Sequence, residues 1–171
     1  IEGVFETYQK VLNKLDQPIP LGYCNVGIVE SVGKEVKNYK VGDRVVSNGF
    51  HAEFVEVPEN LCQKIPDNVT DEQAVFTILS SISLHGIRLS EPTLGETYVV
   101  IGMGLVGLLC TELLILNGCN VISVDIDSSR LEHAKNLGAE TVHLSEKMSV
   151  DDAVSAISGK HVVDAVIISS S

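Results

Sequence analysis

Thr97-Tyr98-Val99-Val100-Ile101-Gly102-Met103-Gly104-Leu105-Val106-Gly107 is the stretch that decides the fold of this 171-residue chain. Its first five residues read as a buried strand. The glycine pattern that follows opens an apolar helix over 104–117, with Gly118 as its C-cap. Each glycine has its own physical task. Gly102 makes the tight turn out of the strand. Gly104, without a Cβ, lets a phosphate group approach the backbone. Gly107 allows close helix packing. The helix start then offers unpaired N–H groups and a positive dipole end to an anion.

Outward from this loop, the pattern repeats. Asn120–Asp125 reads as a second strand, a helix capped by Ser128 or Ser129 runs to Gly138, and Thr141–Leu144 is a third strand. A further helix is capped by Ser149 and stopped by Gly159, and His161–Ser169 is a fourth strand. Strands alternating with helices at this spacing predict βαβ crossovers and a parallel sheet. Asp125 closes the second strand, where a carboxylate accepts hydrogen bonds from an adenosine ribose and repels a 2′-phosphate. A G-x-G-x-x-G motif alone is a weak signal. Placed between a strand and a helix, with an acid closing the next strand, it predicts a Rossmann dinucleotide site. The candidate cofactor-binding residues are Gly102, Met103, Gly104, Leu105, Val106, Gly107, Asp125, Ile126, Arg130 and Ser169. Asp125 favours NAD; Arg130 leaves NADP open, because a nearby guanidinium can take a 2′-phosphate.

The first part of the chain differs. Apolar residues at helical spacing over 1–15 predict an amphipathic helix ended by Pro18 and Pro20. Val26–Val32, the strand after the Val41-Gly42-Asp43 turn, and Ala52–Val57 read as short strands of a small barrel. Thr70 and Gln73 form a capping box for a helix running to about Leu89. The fold expected is α/β. Part of a small β-barrel with an N-terminal helix occupies 1–66, and the first four strands of a doubly wound Rossmann sheet occupy 67–171. The chain stops after its fourth strand, so a fragment of a longer protein is expected.

Composition narrows the function. Aromatics are 5% against 44% apolar residues overall, so the core is aliphatic, as a buried parallel sheet requires. A net charge of −11 with no basic cluster argues against a nucleic-acid partner. No apolar run is long enough to cross a bilayer, and residues 1–15 lack a secretory signal. Cys24, Cys62, Cys110 and Cys119 include no C-x-x-C pair and read as reduced thiols of a cytoplasmic protein.

Several stretches in order carry a family resemblance. They are Pro20-Leu21-Gly22, Gly27–Gly33, Tyr39–Val45, His51–Val55, Gly102–Gly107 and Val124–Ala139. Over nearly all of 18–171 the chain resembles the medium-chain dehydrogenases/reductases, which implies that the barrel part is GroES-like and the second part a Rossmann domain. Zinc-type members carry Gly-His-Glu at the start of the Gly27 stretch, whereas this chain has Gly22-Tyr23-Cys24. The Cys-rich structural zinc lobe is also missing between Val46 and His51. The resemblance therefore implies a zinc-independent member with no metal site. Residues 5–25, with Asn60–Pro66, Phe76–Leu79 and His85–Arg88, resemble the dehydrogenase module of bi-domain oxidoreductases, which implies a second Rossmann-type module in the full-length chain.

The function expected is NAD(P)-dependent hydride transfer on a small-molecule alcohol or carbonyl, such as a sugar or nucleotide-sugar derivative. The fragment alone is expected to be inactive. Catalytic residues are not identified; Tyr23 and His51 are the candidates, beside the readings of Tyr23 as a packed ring on a barrel strand and of His51 as a polar turn residue. Two other readings stand beside it. One is a non-catalytic NAD-binding sensor or scaffold, and the other is a zinc alcohol dehydrogenase using Cys24.

Overall fold

Aliphatic side chains on both faces of one strand need cover on both faces. The computed structural model describes residues 21–145 and 162–170, together with positions 3, 6, 8, 9, 12, 148, 152, 155 and 156. The chain divides into two compact units, residues 1–75 and 76–171.

In the first unit, β1 (Asn25–Ile28), β2 (Arg44–Ser47) and β3 (Cys62–Lys64) form an antiparallel sheet in the order β1-β2-β3. Val26 pairs with Val46, and Val46 with Gln63. A short helix, α1 (Asp71–Ala74), starts at Thr70 with both bonds of the capping box made. Ala74 packs with Val46 and Ile65, joined by Val26 and Val69. This packing carries the unit past residue 66, where the sequence reading divides the chain. Arg44 fastens the same segment. Its guanidinium donates to the carbonyls of Pro66 and Val69 and lies 3.2 Å from Asp71.

The second unit is the parallel sheet. Its elements are α2 (Thr77–Ser90), β4 (Thr97–Ile101), α3 (Leu105–Leu116), β5 (Asn120–Asp125), α4 (Ser128–Asn136), β6 (Glu140–His143) and β7 (Ala165–Ile168). The strand order is β6-β5-β4-β7, all parallel. Period-two alternation splits the core in two. Tyr98, Val100 and Val121 pack against Ile87 of α2, Cys110 and Leu114 of α3, and Leu131 and Ala134 of α4. Val99, Ile122 and Val124 turn to the other face, with Ile101, Val142, Leu144 and Val163. The architecture is an α/β, Rossmann-like partial fold preceded by a GroES-like segment.

Four local readings are corrected. Ala52–Val57 is bends and coil, not a strand: Phe54 is exposed there, and β3 pairs with β2 instead. The first barrel strand ends at Ile28 rather than Val32. The helix expected from Thr70 to Leu89 is two helices broken at Val75–Phe76, α1 packing in the first unit and α2 in the second. Asp127, not Ser128 or Ser129, caps α4; its carboxylate accepts from the Ser129 N–H and is the stronger acceptor. Positions 6, 8, 9 and 12 are helical, as are 152, 155 and 156. Position 3 is not helical, and the other residues of the helices expected over 1–15 and 149–159 lie outside the described residues, as does His161.

Candidate functional site

After β6 the chain returns to the far side of β4, so the sheet order reverses at the C-terminal end of β4. Ligands of open parallel sheets bind at this crevice. The glycine loop, 102–104, sits there. Gly102 has φ +93°, and a Cβ on it would lie 2.8 Å from the Ser170 nitrogen. Its N–H donates to the Val124 carbonyl at 2.8 Å, tying the turn to β5. A Cβ on Gly107 would meet the Gly102 carbonyl oxygen at 1.8 Å and Ser169 Oγ at 2.7 Å. Gly107 therefore lets α3 pack onto the loop itself. Gly104 is different: among the described residues, and its chain neighbours apart, no heavy atom lies within 4 Å of the position its Cβ would take. It caps α3 with extended backbone and no side-chain bond, so the helix start faces open space.

Asp125 ends β5, buried. Oδ2 accepts the Met103 N–H at 2.5 Å, and Oδ1 accepts the Asp127 N–H at 2.8 Å. One carboxylate thus holds both the glycine loop and the turn into α4. Met103 fills the space beneath the loop with a fully buried side chain; its sulfur accepts from Thr111 Oγ1, which also bonds Ser123 Oγ at 3.2 Å. Ser169 is a second clamp. Its hydroxyl donates to the Gly102 carbonyl at 2.7 Å and reaches the Ile101 carbonyl at 3.1 Å.

Ile126 is 76% exposed at the crevice, and its carbonyl is 2.9 Å from Nε2 of His143 at the end of β6. Arg130 lies on α4 with Nε 3.6 Å from Asp127 Oδ2. Leu105 is exposed in the first turn of α3. The Val106 carbonyl faces Ser83 Oγ at 3.5 Å beside an apolar cavity of about 270 Å³, walled by α2, α3 and the end of β7. A second cavity, of about 160 Å³ and lined by Thr97, Asn120 and Glu140, opens at the N-terminal ends of the strands, away from this crevice. Asp127 and His143 escape a motif-based reading. For Asp127, its place ahead of Ser128-Ser129 is an N-cap signal; for His143, no sequence signal reveals a partner carbonyl.

Tyr23 and His51 belong to the first unit. The His51 N–H donates to the Leu21 carbonyl at 2.8 Å, and its ring lies over Gly22, where a Cβ would be 2.2 Å from Nε2. Gly22, with φ +69°, makes this contact possible. Tyr23 stands next to it, about half exposed, and is not the packed ring that one sequence reading allowed.

Two families match. The one described as alcohol dehydrogenase GroES-like domain covers residues 3–67, and the one described as zinc-binding dehydrogenase covers 106–171. Probable D-xylulose reductase A of Neosartorya fischeri is 29% identical over 79% of this chain and 47% of its own length. (R,R)-butanediol dehydrogenase of Bacillus subtilis is 32% identical over 82% of this chain and 48% of its own. Among solved structures, 2R,3R-butanediol dehydrogenase from Bacillus subtilis aligns with TM-score 0.76 at 30% identity, covering 92% of this chain and 53% of that one. A mycobacterial protein in complex with NADPH aligns with TM-score 0.74 at 29% identity, covering 96% of this chain and 54% of that one. The chain spans about half the length of the curated relatives it matches. The fold is that of an α/β, Rossmann-like protein. Together the two family matches and the butanediol dehydrogenase structure support the medium-chain dehydrogenase/reductase family.

The family description names zinc, and a catalytic zinc needs three protein ligands. Among the described residues no three His, Cys, Asp or Glu side chains come together to hold one. Tyr23 and Cys24 occupy the stretch where zinc-type members carry His and Glu. The glycine loop, in contrast, fits a dinucleotide: the cradle at Gly104 is open, and the helix N–H groups face it.

Proposed function

We propose that this chain is the nucleotide-binding part of a zinc-independent, NAD-dependent dehydrogenase acting on an alcohol/carbonyl pair. The observation that carries this reading is the open cradle at Gly104, at the reversal point of the sheet. There the start of α3 would face the pyrophosphate, with Gly102, Met103, Leu105, Val106 and Gly107 shaping the approach. Asp125 would offer the ribose hydroxyls the lone pairs left after its two N–H bonds, with exposed Ile126 lining the adenine side. Ser169 would hold the loop rather than touch the cofactor, since its hydroxyl is spent on Gly102 and Ile101. When bound, the nicotinamide ring supplies the hydride acceptor or donor.

Relatives named for xylulose, sorbitol and butanediol support a polyol or vicinal diol as substrate class. Gly22-Tyr23-Cys24 supports zinc independence. No membrane-spanning helix occurs among the described residues, and the four thiols form no disulfide, which supports a cytoplasmic setting. The resemblance of residues 5–25 supports a second Rossmann-type module in the intact protein.

The test is a fluorescence titration of the intact protein with NADH, beside zinc analysis and NAD-coupled turnover of sorbitol, xylitol and 2,3-butanediol. NADH binding and diol oxidation by zinc-free protein are expected. Absence of NADH binding overturns the reading. Binding without turnover of any alcohol favours the sensor or scaffold, and stoichiometric zinc required for turnover favours a zinc enzyme. Asp125→Ala is expected to weaken NADH at least tenfold, because it strands the Met103 N–H as well as losing the ribose acceptor.

A further inference from the structure

A coenzyme with a 2′-phosphate brings a dianion to the end of β5. The carboxylate that sequence patterns assign to refusing it, Asp125, is 6% exposed, with both oxygens already accepting backbone N–H groups. The exposed carboxylate at this turn belongs to Asp127, two residues on. Its Oδ1 accepts the Ser129 N–H at 2.8 Å and the Ser129 hydroxyl at 2.7 Å, and its Oδ2 faces Arg130 Nε at 3.6 Å. An amide, a hydroxyl and a guanidinium are the donors that a phosphate monoester would recruit. Asp127 already uses all three.

We propose that Asp127 is a specificity-determining residue that keeps Arg130 from the 2′-phosphate of NADP, and so sets the preference for NAD. This rests on the dinucleotide reading above. Two consequences follow from the geometry. A phosphate arriving at this turn finds the guanidinium already paired, so NADPH loses the cation that would receive it. The ribose of NADH carries no such charge and needs neither donor. The hydrogen bonds from Ser129 and the neighbouring Arg130 hold the Asp127 carboxyl below its ordinary range, so it stays charged at neutral pH. An exposed pair of this kind contributes little to folding, and so it can be broken without losing the protein.

Asp127→Asn is the useful change, because Asn caps a helix as well as Asp does while carrying no charge. NADH and NADPH are titrated against the intact wild type, Asp127→Asn, Arg130→Ala and the double variant, with thermal melts to confirm folding. The wild type is expected to favour NADH. Asp127→Asn is expected to narrow the preference about tenfold, as one charge contact at a protein surface is worth. Arg130→Ala alone should leave the ratio near that of the wild type, and in the Asp127→Asn background it should cancel most of the narrowing. An unchanged ratio in Asp127→Asn overturns the proposal. So does a narrowing that persists without Arg130, which would assign the effect to charge alone. A wild type that binds NADPH as well as NADH overturns it too. A wild type that binds neither coenzyme removes instead the reading on which the proposal rests.

Discussion

Gly104 and Gly107 look alike in the motif and do different work. A Cβ at Gly107 would be driven into the Gly102 carbonyl, whereas one at Gly104 would meet nothing within 4 Å among the described residues beyond its chain neighbours. Gly107→Ala is therefore expected to destabilise the protein by about 1–3 kcal/mol, the usual penalty of overpacking, and to abolish cofactor binding. Gly104→Ala is expected to cost no more than about 1 kcal/mol, while NADH affinity falls tenfold or more. Thermal melts and NADH titrations of the two variants separate the cases; equal losses of stability would show that Gly104 is packed rather than open. Met103 teaches the same lesson in reverse. It sits among the phosphate-loop positions, yet its side chain is core and only its backbone N–H serves the loop, through Asp125.

Among the elements, the caps decide where helices begin. Thr70 accepts the Gln73 N–H while the Gln73 side chain accepts the Thr70 N–H, so α1 is a single stabilised turn that presents Ala74 to Val46 and Ile65. Thr70→Ala is expected to lower stability by about 1 kcal/mol in urea unfolding; no change would mean that Ala74 packs without the cap. The carboxylates of Asp43 and Asp127 are both held below the ordinary 3.8. Asp43 is held mainly by Lys64, 2.9 Å away, and Asp127 by Ser129. A depressed carboxylate gives its stabilisation in full above its unfolded value and loses it as the pH falls through the folded one. The stability gap between wild type and the Asp43→Asn, Asp127→Asn double variant should thus stay constant from about pH 7 to about pH 5 and narrow as the pH falls below 3.8. Thermal melts across that range check it, and a gap that widens on the acid side would be contrary.

For the whole molecule, the two units differ in what they bury. The first unit closes on Val46, Ile65 and Ala74, while the second encloses two clusters on either face of β4 and β5. Hydrogen exchange is expected to leave the amides of Val99, Val100 and Ile122 protected longest, and to release those of β1 at least tenfold sooner. Equal protection would mean that the units open as one. The sequence by itself determined the parallel sheet and its loop, because a strand buried on both faces, a glycine-rich turn and an apolar helix are each written in consecutive residues. It also determined the capping box at Thr70, a signal four residues long. Only the tertiary structure decided what Asp125 holds, that Asp127 rather than a serine caps α4 and pairs with Arg130, that Ser169 clamps Gly102 from another strand, and that β2 pairs with β3 instead of with 52–57. These depend on which atoms of distant segments meet once the sheet has formed. Residue spacing encodes periodicity and local hydrogen bonds; it does not say which donor is left for a given acceptor in the folded chain.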